Sequence, residues 1–133
     1  IKTPTIQEIS KYVKKIRRSK LPDPKKLGNC GSFFQNPVLS FDEFEELKKK
    51  DSLVPSYFMS ENKVKIPAAY LIEKCGLKGV KKGNVGTFEK HALIIVNYGN
   101  ASGKEIFDFS SMIKDYVLRK FNILLLEEVN IIN

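Results

Sequence analysis

Cysteine is scarce in this 133-residue chain, which has only Cys30 and Cys75. Two thiols in a chain of this size make neither a disulfide framework nor, at that spacing, a metal site. Both are read as reduced and structural, and no metal is expected. Long apolar runs are missing too. The longest, around Ala92 to Val96 and Ile123 to Leu126, fall far short of the roughly 20 residues needed to cross a bilayer. The N-terminus has no apolar core of a signal peptide. No membrane partner is expected, and a cytoplasmic location follows as the default. The chain starts at Ile1 without a methionine and ends on the strand-like run Val129 to Ile132, so it reads as a piece of a longer protein.

Acidic residues are outnumbered, 15 against 23 Lys and Arg, which leaves a formal charge of +8. Such an excess suits a nucleic-acid surface, a phosphate-bearing ligand, or a surface solvated by lysine. The densest cluster is Lys11, Lys14, Lys15, Arg17, Arg18 and Lys20, followed by Lys48 to Lys50 and by Lys78, Lys81 and Lys82. A basic nucleic-acid-binding module is therefore the alternative function, and it predicts steep salt dependence of DNA or RNA binding. No DNA- or RNA-binding motif accompanies the charge. The aromatics sit at apolar-periodic positions and form no stacking platform.

What the chain does have is apolar material for one core: 42% hydrophobic residues, nine of them Phe. One domain over 1–133 is expected. Ile6, Ile9, Val13 and Ile16 recur at helical spacing behind Thr5, so residues 1–19 read as a leading helix and linker. Ser40 with Glu43, and Ser102 with Glu105, have capping-box spacing and start two more helices. Pro67 at a first helical position and Gly76 as terminator bracket another. Strands are expected at 56–59, 63–66, 92–97 and 124–132, with a loop over 21–36 and a glycine-rich connection after Gly76. Helices and short strands in no strict alternation imply an α+β domain, its helices packed against a small mixed sheet.

The chemically informative stretch is Lys20-Leu-Pro-Asp-Pro followed by Gly28-Asn-Cys-Gly-Ser32-Phe-Phe-Gln-Asn36-Pro37. Glycines around a serine let backbone amides and a hydroxyl approach a ligand, and Lys20 supplies a compact charge for phosphate. An ordinary turn stabilised by Asn and Ser side chains explains the same pattern.

These residues resemble the hallmark of the UDP-N-acetylenolpyruvoylglucosamine reductase family. The same order continues with Ile66-Pro-Ala-Ala-Tyr-Leu-Ile and Gly76-Leu-Lys-Gly79, then His91-Ala-Leu-Ile-Ile-Val-Asn97 with Gly99-Asn-Ala-Ser-Gly103, then Leu126-Glu-Glu128-Val. The resemblance runs from about Arg18 to the end and matches the family's C-terminal, substrate-binding domain. It implies a flavoenzyme in which NADPH reduces FAD, and reduced FAD passes hydride to the enolpyruvyl group of UDP-N-acetylglucosamine enolpyruvate. The FAD would be bound by N-terminal domains absent here, so the chain alone would be inactive.

By the same resemblance Ser32 is the general acid that protonates the α-carbon. Glu128 is the carboxyl group beside the substrate carboxylate, placed to hydrogen-bond the enolic intermediate in its acid form. Lys20 and Asn36 match ligands of the substrate diphosphate, and Lys20 also serves the NADPH phosphates. Tyr57, Lys78 and His91 correspond more loosely to positions near the nucleotide. His91 also reads as a structural residue ahead of a buried strand. Two positions depart from the family pattern: Glu127 stands where Pro is usual, preceded by Leu126. A third reading keeps the Ser32 loop as a binding site without catalysis.

Overall fold

The computed structural model describes residues 28–128. The leading helix and linker expected over 1–19, Lys20, and the part of the expected terminal strand beyond 128 lie outside the described residues. Ten elements follow in order: β1 (Gly28–Ser32), β2 (Val38–Leu39), α1 (Phe41–Lys50), β3 (Tyr57–Ser60), β4 (Lys63–Lys65), α2 (Ala68–Lys74), β5 (Lys81–Lys82), β6 (Val85–Phe88), β7 (His91–Asn97) and α3 (Gly103–Phe121).

The α+β class is as expected, but the strands form two antiparallel sheets and not one mixed sheet. One has the order β1-β7-β6-β5, the other β2-β4-β3. Short hairpin connections explain the difference, because neighbours joined by two residues can only run antiparallel. The glycine-rich stretch, expected as a connection, carries such a hairpin. Lys82 pairs with Val85 across Gly83-Asn84, and Gly83 takes φ +62, the first central position of a II′ turn.

Both capping boxes form. The Ser40 Oγ accepts from the Glu43 amide at 3.2 Å and the Ser102 Oγ from that of Glu105 at 3.2 Å. Pro67, expected inside its helix, is instead the N-cap of α2, with extended backbone and no side chain able to cap. In α1, Phe44 and Leu47 face inward, and α3 buries Phe109, Ile113, Val117 and Phe121. These helix stripes, with Leu71 and Ile72 of α2, pack against Val64, Ile66, Leu93 and Ile95. After α3, Asn122 turns the chain at φ +58, and residues 122–125 alternate exposed and buried, with Ile123 and Leu125 inside. This is half-buried extended chain. Its only ladder contact among the described residues is the bridge from Glu127 to Phe34.

Candidate functional site

The Gly-Asn-x-Gly-Ser motif builds a β-bulge. β1 pairs with β7 in register at Asn29 opposite Val96, then slips so that Ser32 lies opposite Ile94. Inside the slip the Asn29 Oδ1 accepts from the Gly31 amide at 2.9 Å, and Gly31 adopts φ +75. That conformation is what calls for glycine, since a Cβ at Gly31 would meet nothing within 4 Å. A bulge re-aims the side chain that follows it, and Ser32 emerges exposed.

The next residue joins three strands. Phe33 donates its amide to the Leu93 carbonyl of β7 at 2.8 Å, and its carbonyl accepts from the Glu128 amide at 2.8 Å. On its far side the Gln35 amide donates to the Leu126 carbonyl at 2.8 Å, and Gln35 Nε2 to the Glu127 carbonyl at 3.1 Å. Glu128 thus sits within one ladder position of Ser32, and both open on solvent. The rings of Phe33 and Phe34 pack edge to face at 5.1 Å between centroids and are buried, so the apolar pair in Ser-Phe-Phe belongs to the core.

Asn36 is exposed at the mouth of a cleft of about 430 Å³ that Gln35, Val38, Leu124 and Leu126 also line. Its Oδ1 accepts from the Ala68 amide at 2.9 Å, supplying the N-terminal cap that Pro67 cannot give α2. The carboxamide oxygen is therefore structural, and the NH₂ is the group that could meet a ligand. Tyr57 lies on the edge strand β3, 62% exposed. The register places Val38, Lys65 and Tyr57 in one row across the three-stranded sheet. At the usual strand spacing Tyr57 is roughly 10 Å from Val38. Lys65, half-buried in the middle of that row, had no motif to mark it.

The other two sequence candidates are further along the fold. Lys78 follows α2 in a turn bounded by Gly76 and Gly79 at φ +73 and +71, with its Nζ 3.6 Å from Glu73. His91 opens β7, and its Nδ1 accepts from the Leu93 amide at 3.3 Å, in keeping with a partly structural role. The structure thus brings Ser32, Asn36 and Glu128 to one stretch of backbone, residues 32–36 with the segment that pairs with Phe33 and Gln35, while Tyr57, Lys78 and His91 stand on separate elements.

Glu127 stands where the family pattern has Pro. It is half-buried and bonded to Lys114 of α3 at 2.8 Å, and that lysine holds its carboxyl below the usual range. A helix and a strand meet in this pair, and no local spacing announces it. Burial pushes the Cys75 thiol up, in keeping with a structural cysteine. Lysines that suggested nucleic acid, Lys48 to Lys50, lie in the last turn of α1, where they complement its C-terminal dipole. Among the described residues no helix is long and apolar enough to cross a membrane, and no cluster of ligating side chains is placed to hold a metal.

Residues 23–132 match the family model described as UDP-N-acetylenolpyruvoylglucosamine reductase, C-terminal domain. Proteins named UDP-N-acetylenolpyruvoylglucosamine reductase from Flavobacterium johnsoniae and Porphyromonas gingivalis are each 47% identical, over 132 and 130 residues, or 99% and 98% of this chain. One from Polynucleobacter asymbioticus is 42% identical over 130 residues, again 98% of this chain. The chain spans 39% of the length of the first of these relatives and 38% of the other two.

Proposed function

The chain belongs to the UDP-N-acetylenolpyruvoylglucosamine reductase family, whose C-terminal domain it carries, and from that premise we propose that it is the substrate-binding and proton-donating part of a reductase that forms UDP-N-acetylmuramate for peptidoglycan. The observation that supports the reading is the backbone pairing of Glu128 with Phe33, the residue after Ser32, with Ser32 and Glu128 both exposed. That exposure suits a hydride donor held outside this chain. FAD bound by the N-terminal part of the full-length protein and reduced by NADPH would supply the hydride to the vinyl β-carbon.

The residues of this chain act on what remains. When the β-carbon gains hydride, charge develops on the α-carbon and its carboxylate. The Ser32 hydroxyl transfers its proton to the α-carbon, and the serine recovers a proton from solvent at its exposed position. Glu128 is the carboxyl group that meets the enolic intermediate beside the substrate carboxylate. The Asn36 NH₂ and Lys20 bind the diphosphate, with Lys20 serving the NADPH phosphates in turn, and Tyr57, Lys78 and His91 form the nucleotide end of the cleft. The reaction belongs in the cytoplasm, where nucleotide sugars are made, and the chain by itself holds no flavin and is inactive.

The test is Ser32→Ala in the full-length protein, with both half-reactions followed anaerobically by flavin absorbance. Reduction by NADPH stays unchanged, and reoxidation by the enolpyruvyl substrate slows by roughly 100-fold or more. Reoxidation at the wild-type rate would remove Ser32 as the proton donor. Binding lost with no change in rate would make the loop a binding site only.

A further inference from the structure

Among the described residues Leu125 is the last fully buried side chain, and residues 126–128 make few contacts there. Two backbone bonds join them to the strand of Phe33 and Gln35, and Gln35 Nε2 adds a third. Leu126 points to solvent, 55% exposed. The remaining anchor among the described residues is the Glu127 carboxylate, bonded at 2.8 Å to Lys114 Nζ.

This ion pair differs from the others among the described residues. The side chains of Lys114 and Glu127 are 24% and 20% exposed, against 35% and 56% for Lys78 and Glu73, 71% and 70% for Lys49 and Glu46, and 79% and 50% for Arg119 and Asp115. Exposed pairs of the latter kind contribute little, because water and salt screen them and both side chains stay mobile. A sheltered pair is screened less, and removing one partner strands the other charge. The sequence separation matters as well. Lys49 with Glu46 and Arg119 with Asp115 each staple one helix to itself, whereas Lys114 lies on α3 next to Ile113, fully buried in the core. The pair therefore ties a loosely paired strand to the rigid interior one residue before Glu128.

We infer that Lys114 and Glu127 are positioning residues for Glu128: their ion pair fixes the height and register of segment 126–128 on α3 and so holds Glu128 in its pairing with Phe33, one residue along from Ser32. This rests on the reading of Glu128 as the group that meets the enolic intermediate. It goes further in giving a helix distant in sequence control over the geometry of that step. A displacement of about 1 Å in a group aligned with a reacting centre can cost roughly 100-fold in rate, so a strand with this anchor removed should lose rate before it loses fold.

The experiment uses the full-length flavoprotein with five variants: Lys114→Met, Glu127→Gln, the exchange Lys114→Glu with Glu127→Lys, Glu128→Gln, and Lys114→Met combined with Glu128→Gln. Both flavin half-reactions and thermal unfolding are measured. Lys114→Met and Glu127→Gln should each slow flavin reoxidation by substrate about 10- to 100-fold and leave reduction by NADPH unchanged. The exchange should restore most of the rate, and Lys114→Met should add no further slowing to Glu128→Gln. A purely structural pair would lower the melting temperature and change both half-reactions alike, or neither, and would overturn the inference. So would wild-type reoxidation in the single variants alongside a slow Glu128→Gln. Should Glu128→Gln itself reoxidise at the wild-type rate, the catalytic reading of Glu128 fails first, and the outcome identifies that failure separately. If Lys114→Met does not fold, Glu127→Gln, which keeps the side-chain volume, carries the same comparison.

Discussion

Thr87 is a polar side chain in the interior, 1% exposed, and its hydroxyl is used in both directions. Oγ1 donates to the Leu77 carbonyl and accepts from the Val80 amide at 3.0 Å, while the Thr87 amide donates to the Val80 carbonyl at 2.9 Å. One threonine of β6 thereby closes the turn that displays Lys78. Thr87→Val keeps the shape and strands two buried backbone groups, so it should destabilise by about 1–3 kcal/mol in urea unfolding. Thr87→Ser should recover most of that. Nothing in Gly-Thr-Phe marks this role in the sequence, because both partners lie seven or more residues back. Gly31 is the opposite case. Its motif flagged a special backbone, and the left-handed φ within the bulge explains it.

Between elements, the Tyr70 hydroxyl of α2 donates to the Asp51 carboxylate at the C-cap of α1 at 2.6 Å. The bond from Tyr70 is the main cause holding the Asp51 carboxyl below its ordinary value of 3.8. In return Asp51 pushes the Tyr70 hydroxyl up to about 12 from 10.0. The stability linked to Asp51 is present above pH 3.8 and is lost as pH falls through its lowered value. That linked to Tyr70 is complete below pH 10.0 and is lost as pH rises through about 12. Tyr70→Phe should therefore lower the melting temperature between these limits. The gap between variant and parent should close toward strong acid, as melts on a pH series would register; a gap independent of pH would mean that the bond to Asp51 is not its source. The helix starts were legible locally, since Ser40-x-x-Glu43 and Ser102-x-x-Glu105 each contain both halves of their box. The cap of α2 was not, because Asn36 supplies it from 32 residues away.

For the molecule as a whole, the extended segment after α3 closes the structure. It runs from Asn122 back to the strand of Phe33, bringing the last described residues against the first sheet. Leu125 holds it, with no exposed surface. Leu125→Ala should cost about 2–5 kcal/mol by unfolding in denaturant. In the full-length protein it should also slow flavin reoxidation, since Glu128 loses its footing. Loss of stability with full reoxidation rate would show that the segment keeps its place without Leu125.

What the sequence determined by itself is what short spacings encode. Apolar residues at helical period placed α1 and α3, paired Ser and Glu capped them, and glycine and proline marked where the chain turns. Four ordered motifs were enough to identify the family. Tertiary structure alone decided the rest. Two antiparallel sheets replaced the single mixed one, a hairpin filled the glycine-rich stretch, Asn36 capped a distant helix, and Lys114 met Glu127. Each of these is a contact between segments far apart along the chain. Its free energy exists only after the core has brought the segments together, so no residue's neighbours in sequence could carry the signal.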